Sequence, residues 1–177
     1  MADLYITYSI RERFWVSKLA ASLESEGYSV WWDLAVIPGA NVRNESQQAL
    51  KQAKCVLVVW SETAIEDHWV LVDSEEAIDK QTPLISVLAQ GASIPEAYQS
   101  LEISDLKSWE LGDERDSHFI NLLETIKAYC PPSQPSQGER EKQAIARLER
   151  MRAESERKAQ QRQLREDQMI QRRMSSV

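Results

Sequence analysis

The chain has 177 residues, of which 42% are hydrophobic, and this size fits one folded domain with an appendage better than two domains. Residues 131–177 hold 11 basic and 7 acidic residues, whereas residues 1–130 hold 10 basic and 21 acidic residues. An acidic domain on a mildly basic tail argues against nucleic acid as a partner. The two cysteines, Cys55 and Cys130, are too few for a disulfide framework and lack the spacing of metal ligands.

The N-terminus has no basic segment followed by a long apolar one, so no signal peptide is predicted. No apolar stretch approaches the roughly 20 residues that a membrane-spanning helix needs. We therefore expect a cytoplasmic protein that has no membrane partner.

Strand-like and helix-like patterns alternate along the first 130 residues. Strands are predicted at residues 4–9, 28–32, 54–60, 83–88 and 102–106, and helices at residues 12–27, 41–53, 68–80 and 117–129. The third strand is nearly all apolar, as expected for a strand that is covered on both faces. This alternation predicts an α/β fold, a flavodoxin-like doubly wound sheet of five parallel strands.

The composition changes after residue 130. We predict a folded domain over residues 1–130, a Pro/Ser/Gln-rich linker over 131–138 and a charged tail, helical or partly disordered, over 139–177. The tail lacks Gly and Pro up to residue 173, but its apolar residues do not keep a heptad repeat. A solvated helix is the preferred interpretation, and a weak coiled coil or a spacer to a further domain are the alternatives.

Several kinds of chemistry have no support in the sequence. The five glycines form neither a GxGxxG nor a Walker A loop, and there is no HExxH motif. The two histidines, His68 and His118, give no local support for a catalytic triad, and no metal site is predicted. A phosphoacceptor receiver domain shares this fold class but needs acidic residues where Ser9-Ile10 and Trp60-Ser61 stand.

Doubly wound sheets bind ligands beyond the carboxyl ends of their strands, at the point where the strand order reverses. For this chain the rule indicates the residues that follow the first and third strands. They are Ser9, Ile10, Arg11, Trp60 and Ser61.

Four segments occur in an order and spacing typical of one family. They are residues 3–9 (DLYITYS), 30–33 (VWWD) running into 37–39 (IPG), 55–61 (CVLVVWS) and 69–73 (WVLVD). Together they resemble the Toll/interleukin-1 receptor (TIR) domain, in particular its bacterial members, over about residues 3–129.

The resemblance implies two alternative functions. Some TIR domains cleave NAD+ as a substrate, without a cofactor, giving nicotinamide and ADP-ribose or a cyclic ADP-ribose. Others are non-catalytic modules that signal by self-association. The enzymes carry a W-x-x-x-E motif with a catalytic Glu, whereas this chain has Trp69 and, four residues later, Asp73.

The aspartate keeps the carboxylate that could stabilise an oxocarbenium-like transition state, but its reach is about 1.5 Å shorter. A misplacement of about 1 Å can cost on the order of a hundredfold in rate. Asp73 is therefore a weakened catalyst, a catalyst in a closed-up pocket, or no catalyst. Glu76 lies closer to its helix face than Glu75 does, but would substitute only if the helix start shifted.

The resemblance also implies contacts to NAD+ and to other TIR domains. The predicted NAD+-binding residues are Ser9, Ile10, Arg11, Asp33, Leu34, Trp60, Ser61 and Trp69. For five of them there is a plainer alternative, namely turn chemistry for the serines, solvent exposure for Arg11 and packing for the tryptophans. The apolar loop at residues 34–39 corresponds to the family's BB loop, so we expect a homo-oligomer formed through it, unless it folds back onto the sheet edge.

Overall fold

The computed structural model describes residues 2–32, 42–89 and 91–174. The chain divides into two compact units, Met1–Ser136 and Gln137–Val177. The first unit contains the sheet and the second is a helix.

The strands are β1 (Leu4–Thr7), β2 (Val30–Trp31), β3 (Cys55–Trp60), β4 (Leu84–Leu88) and β5 (Glu102–Asp105). The α-helices are α1 (Arg13–Ser25), α2 (Val42–Gln52), α3 (His68–Asp79), α4 (Ser117–Tyr129) and α5 (Gln137–Met174). Short 3-10 turns lie at Ile10–Glu12, Ala64–Glu66 and Glu96–Tyr98.

The five strands form one sheet in the order β2-β1-β3-β4-β5, and every pair is parallel. This confirms the predicted flavodoxin-like doubly wound α/β fold. β2 is much shorter than predicted because the chain leaves α1 through Gly27 in a left-handed conformation (φ +92°) and reaches the sheet only at Val30.

Side chains alternate between the two faces of the sheet and so divide the core into two layers. On one face Leu4 and Ile6 of β1 pack with Leu57 of β3 against buried residues of α1 and α4. On the other face Tyr5 of β1 packs with Val58 of β3 beneath α2 and α3. Tyr5 and Thr7 therefore face α2 and α3, and this orientation positions the site.

Asp3 links the amino ends of three strands to the segment that follows α4. Its carboxylate accepts hydrogen bonds from Lys54 Nζ (2.6 Å), Ser29 N (3.0 Å) and Ser133 Oγ (2.5 Å). Gln134 N also donates to Gly27 O at 3.1 Å. Residues 131–136, which we predicted to be linker, thus lie in the first unit, and the last two residues of the predicted linker begin α5.

The pKa of Asp3 predicts how stability depends on pH. Burial alone raises this pKa, but the hydrogen bonds from Lys54, Ser133 and Ser29 outweigh burial and lower it to about 2, from an ordinary value of 3.8. Because the folded pKa is the lower one, the ionised carboxylate stabilises the fold above pH 3.8, and this contribution is lost as the pH falls toward 2. We expect a loss of about 1–2 kcal/mol, since Lys54 is largely solvated.

Urea unfolding at pH 6, 4, 3 and 2 measures this effect. Asp3→Asn should lower the free energy of unfolding at pH 6, and below pH 4 its free energy of unfolding should depend less on pH than that of the wild type. The exposed Asp79→Asn should keep the wild-type profile. If the free energy of unfolding of the wild type and of Asp3→Asn fell equally between pH 4 and 2, Asp3 would not be the source of the pH dependence.

The second unit consists of α5, whose described side chains are all exposed. Ile145, Leu148 and Met151 are each more than half exposed. Lys158 and Glu154 form an i,i+4 ion pair of 2.6 Å. Over the side chains that the structure describes, this unit has the pattern of a solvated helix.

Candidate functional site

A cavity of about 420 Å³ opens at the carboxyl ends of β1 and β2, beneath α2 and α3. We call it the Asp73 cavity. Its lining comes from β1 and the turn after it, from β2, from α2 and from the start of α3. The lining residues are Tyr5, Ile6, Thr7, Tyr8, Ile10, Trp31, Arg43, Ser46, Asp67, Trp69 and Asp73.

The start of α3 determines where Asp73 points. Asp67 caps this helix, its side chain accepting from Trp69 N at 3.0 Å. Asp73 lies about one turn and a half beyond the cap and is only 4% exposed, whereas its helix neighbour Glu75 is exposed. Asp73 is thus the carboxylate that α3 turns toward the sheet and into the cavity.

Three donors from two other elements surround the Asp73 carboxylate. Tyr5 OH donates to Oδ2 at 2.8 Å and Thr7 Oγ1 donates to the same oxygen at 3.2 Å. Arg43 Nη1 from α2 donates to Oδ1 at 2.8 Å and forms an ion pair with it. A buried carboxylate needs this degree of hydrogen bonding to remain charged inside a protein.

Arg43 also covers an aromatic ring. Its guanidinium carbon lies 4.2 Å from the ring centroid of Trp69, within cation–π range. Trp69 is 53% exposed, so it forms the outer wall of the cavity. Nη2 of Arg43 is buried and has no hydrogen-bond partner among the described residues. Within those residues, Arg43 is therefore held by one carboxylate and one ring.

Tyr5 connects the carboxylate to α2 and β2. Its hydroxyl also lies 2.7 Å from Ser46 Oγ, and its ring stacks on Trp31 at 4.8 Å with planes 3° apart. Burial, followed by the negative charge of Asp73, raises the pKa of Tyr5 far above its usual value. Tyr5 therefore remains a neutral phenol that donates its proton to Asp73.

The structure brings together three of the predicted site residues and places four of the others outside the lining of the cavity. Ile10, Trp69 and Asp73 all line it. The predicted residues outside its lining are Ser9, Arg11, Trp60 and Ser61. Asp33 and Leu34, like the whole of residues 34–39, lie outside the described residues.

The four residues outside the lining have other positions. Ser9 is buried and its carbonyl accepts from Glu12 N at 2.8 Å, while Arg11 is exposed. Ser61 Oγ accepts from Ala64 N at 3.1 Å and so begins the turn after β3. Trp60 is fully buried in the layer beneath α2 and α3. Of the five residues that follow the first and third strands, Ile10 thus lines the cavity, and its lining includes no residue of β3.

Sequence reasoning missed Tyr5, Thr7, Trp31, Arg43 and Ser46. Tyr5 and Thr7 carried a usable signal, because polar atoms two residues apart on a buried strand point to the same face. Arg43 carried no signal, since an arginine in the first turn of a polar helix is usually solvated. Over the ranges that the structure describes, no group of three or more His, Cys, Asp or Glu side chains could hold a metal ion.

The comparisons with known proteins agree with this architecture. Residues 4–123 match the family model described as TIR domain. The crystal structure of the TIR domain of the Toll-related receptor TRR-2 from Hydra magnipapillata is similar, with a TM-score of 0.58 and 20% identity. That match covers 72% of this chain and 99% of the other, and at this identity it shows the shared fold. No curated protein matches the chain.

Because the family model matches well over half of the sequence, the chain belongs to the TIR domain family. It is accordingly a TIR-domain signalling protein. Members of this family typically interact with other TIR domains. None of the helices in the described ranges is both long enough and apolar enough to cross a bilayer.

Proposed function

We propose that this TIR domain cleaves NAD+ in the Asp73 cavity and releases nicotinamide. The observation that carries the proposal is a buried carboxylate, Asp73, lining a cavity with aromatic walls at the carboxyl edge of the sheet. The volume of about 420 Å³ is within the usual range for small-molecule pockets. Trp69 and Trp31 offer flat surfaces for a planar ring.

The chemistry asks little of the protein beyond charge and position. The bond between C1′ of the ribose and the pyridinium nitrogen breaks, and its electron pair leaves with neutral nicotinamide. Water adds to C1′ and loses a proton, which gives ADP-ribose; attack by an adenine nitrogen of the same molecule gives a cyclic product instead. Asp73 stabilises the positive charge that develops on the ribose.

The partners of Asp73 support this role by fixing its orientation. Tyr5 and Thr7 both bind Oδ2, so that oxygen is anchored to β1. Oδ1 binds only Arg43 among the hydrogen bonds of the described residues, so Oδ1 becomes available for the ribose when Arg43 moves. A charged group held in advance of the reaction needs little rearrangement in the transition state.

The test is release of nicotinamide from NAD+ by the pure full-length chain, followed by chromatography in dilute and crowded solution. We expect slow turnover by the wild type and a loss on the order of a hundredfold or more in Asp73→Asn. Glu75→Gln, an exposed position on the same helix, should keep the wild-type rate. Asp73→Glu should raise the rate if the shorter side chain limits the reach of the carboxylate.

The three hydrogen bonds to Asp73 favour the second candidate, a non-catalytic assembly module. The Asp73 carboxylate is already satisfied by three protein donors, as in a purely structural ion pair. No nicotinamide above a blank from wild type and from Asp73→Glu would reject the enzyme and favour this module. For this module we predict residues 34–39 as the partner surface. Measuring whether Ile37→Asp weakens self-association would then test that surface.

A further inference from the structure

The guanidinium of Arg43 makes two contacts that a ligand in this cavity would also make. It is a planar, delocalised cation that lies 4.2 Å from the Trp69 ring centroid and 2.8 Å from Asp73 Oδ1. An N-substituted pyridinium ring, such as the nicotinamide ring of NAD+, is also planar, delocalised and positively charged. Such a ring is suited to the same aromatic face and the same carboxylate.

Arg43 and such a ring compete for the same position. Arg43 already holds Asp73 Oδ1 and lies over Trp69, so a ring that makes both contacts has to take its place. A neutral ring of the same shape, the dihydropyridine of the reduced dinucleotide, would displace Arg43 without replacing its charge. The Asp73 carboxylate, 4% exposed, would then be left buried without a cation, which is unfavourable.

The position of Arg43 also makes its displacement feasible. Its side chain is 26% exposed, so the guanidinium has a path to solvent. Its buried Nη2 has no acceptor in the part of the chain that the structure describes, and would gain hydrogen bonds with water on leaving.

From these contacts we infer that Arg43 is an internal competitor for the planar cation of the ligand. It occupies the place of that cation, so a ring binds there only after Arg43 has left, and a positively charged pyridinium ring is favoured over the neutral form because it restores a cation to Asp73. This inference rests on the proposed function for the location of the ligand, and it adds the charge state of the substrate class. Arg43 also lowers the apparent affinity, because a ligand binds only to the fraction of molecules in which Arg43 has moved.

Calorimetry with the full-length chain and two small probes tests the inference. The probes are N1-methylnicotinamide, which is permanently charged, and nicotinamide, which is neutral and nearly the same size. Arg43→Met should bind the charged probe on the order of tenfold more tightly than the wild type does, because no ion pair has to break. This variant should still bind the charged probe severalfold more tightly than nicotinamide, which leaves Asp73 without a cation. Lys51→Met, which removes an exposed basic residue of the same helix, should bind both probes as the wild type does.

Arg43→Lys provides a second variant in case the Met variant fails to fold. Lysine keeps a charge for Asp73 but gives up the guanidinium contact with the Trp69 ring, so a smaller gain, of about threefold, is expected for the charged probe. The inference is overturned if neither variant gains affinity for the charged probe, or if Arg43→Met binds the two probes with equal affinity.

The two proposals fail in different ways, because neither probe has a glycosidic bond to cleave. Tighter, charge-selective binding in Arg43→Met with no nicotinamide release from NAD+ would reject the enzyme and keep Arg43 as the competitor. Turnover of NAD+ with no gain of probe affinity in the Arg43 variants would support the enzyme and reject the inferred role of Arg43.

Discussion

Asp73→Ala is expected to lower the free energy of unfolding by about 3 kcal/mol. The substitution removes the acceptor from Tyr5, Thr7 and Arg43 together. Losing one partner of a buried ion pair costs roughly 3–5 kcal/mol, and Arg43 is exposed enough to recover part of this by moving to water. The buried Tyr5 hydroxyl keeps Ser46 as its one partner, which limits the rest of the loss.

Two further variants separate charge from hydrogen bonding. Asp73→Asn keeps one acceptor oxygen for Tyr5 and Thr7 and loses the charge that binds Arg43, so we expect a smaller loss of about 1–2 kcal/mol. A double-mutant cycle of Asp73→Asn with Arg43→Met, followed by urea unfolding, measures the coupling directly. We expect about 1–2 kcal/mol, and coupling near zero would mean that the ion pair contributes nothing to stability.

Most of the fold could be predicted from the sequence because the patterns that encode it are local. The apolar run before Trp60 is a strand covered on both faces, and α4 has the predicted bounds, Ser117–Tyr129. The alternation of strands and helices, together with the right-handed connections expected between parallel strands, then restricts the fold to a few topologies. The short β2 could not be predicted, since its length depends on where the chain joins β1 after Gly27.

The candidate site could be predicted only in part, because side chains from distant segments form it. Trp69 and Asp73 were found through a motif whose two residues lie one turn apart on α3. Arg43 lies 30 residues from Asp73 in sequence, and nothing local distinguishes it from a solvated arginine. Only the packing of α2 beside α3 brings its guanidinium to the carboxylate.

The contacts of Asp73 also change the meaning of its shorter side chain. Sequence alone left open a weakened catalyst, a closed-up pocket or no catalyst. The Asp73 carboxylate forms part of the cavity surface while it is hydrogen-bonded to Tyr5 and Thr7. The aspartate side chain, although shorter than a glutamate, therefore reaches the cavity. Among the described residues, the guanidinium on Oδ1 is a group that a ligand would have to displace under the proposed function, so residue 43 as well as residue 73 bears on activity.

Trp60→Ala is expected to lower the free energy of unfolding by about 3–5 kcal/mol. Trp60 is fully buried, its ring centroid lies 4.9 Å from that of Tyr98, and its Nε1 donates to Ser86 Oγ at 3.0 Å. Truncation leaves a large cavity between β3 and the helices above it, and it also removes the donor to the buried Ser86 hydroxyl. Urea unfolding of purified variants measures the change.

The same residue tests its predicted role as an NAD+ contact. Trp60→Phe should cost only about 1–2 kcal/mol, since the ring volume is largely kept and one hydrogen bond is lost. Because Trp60 is outside the lining of the Asp73 cavity, this variant should bind N1-methylnicotinamide as the wild type does. Ser86→Ala is the matched control, since it breaks the same hydrogen bond from the other side. A severalfold loss of probe affinity in Trp60→Phe but not in Ser86→Ala would mean that the indole contacts the ligand.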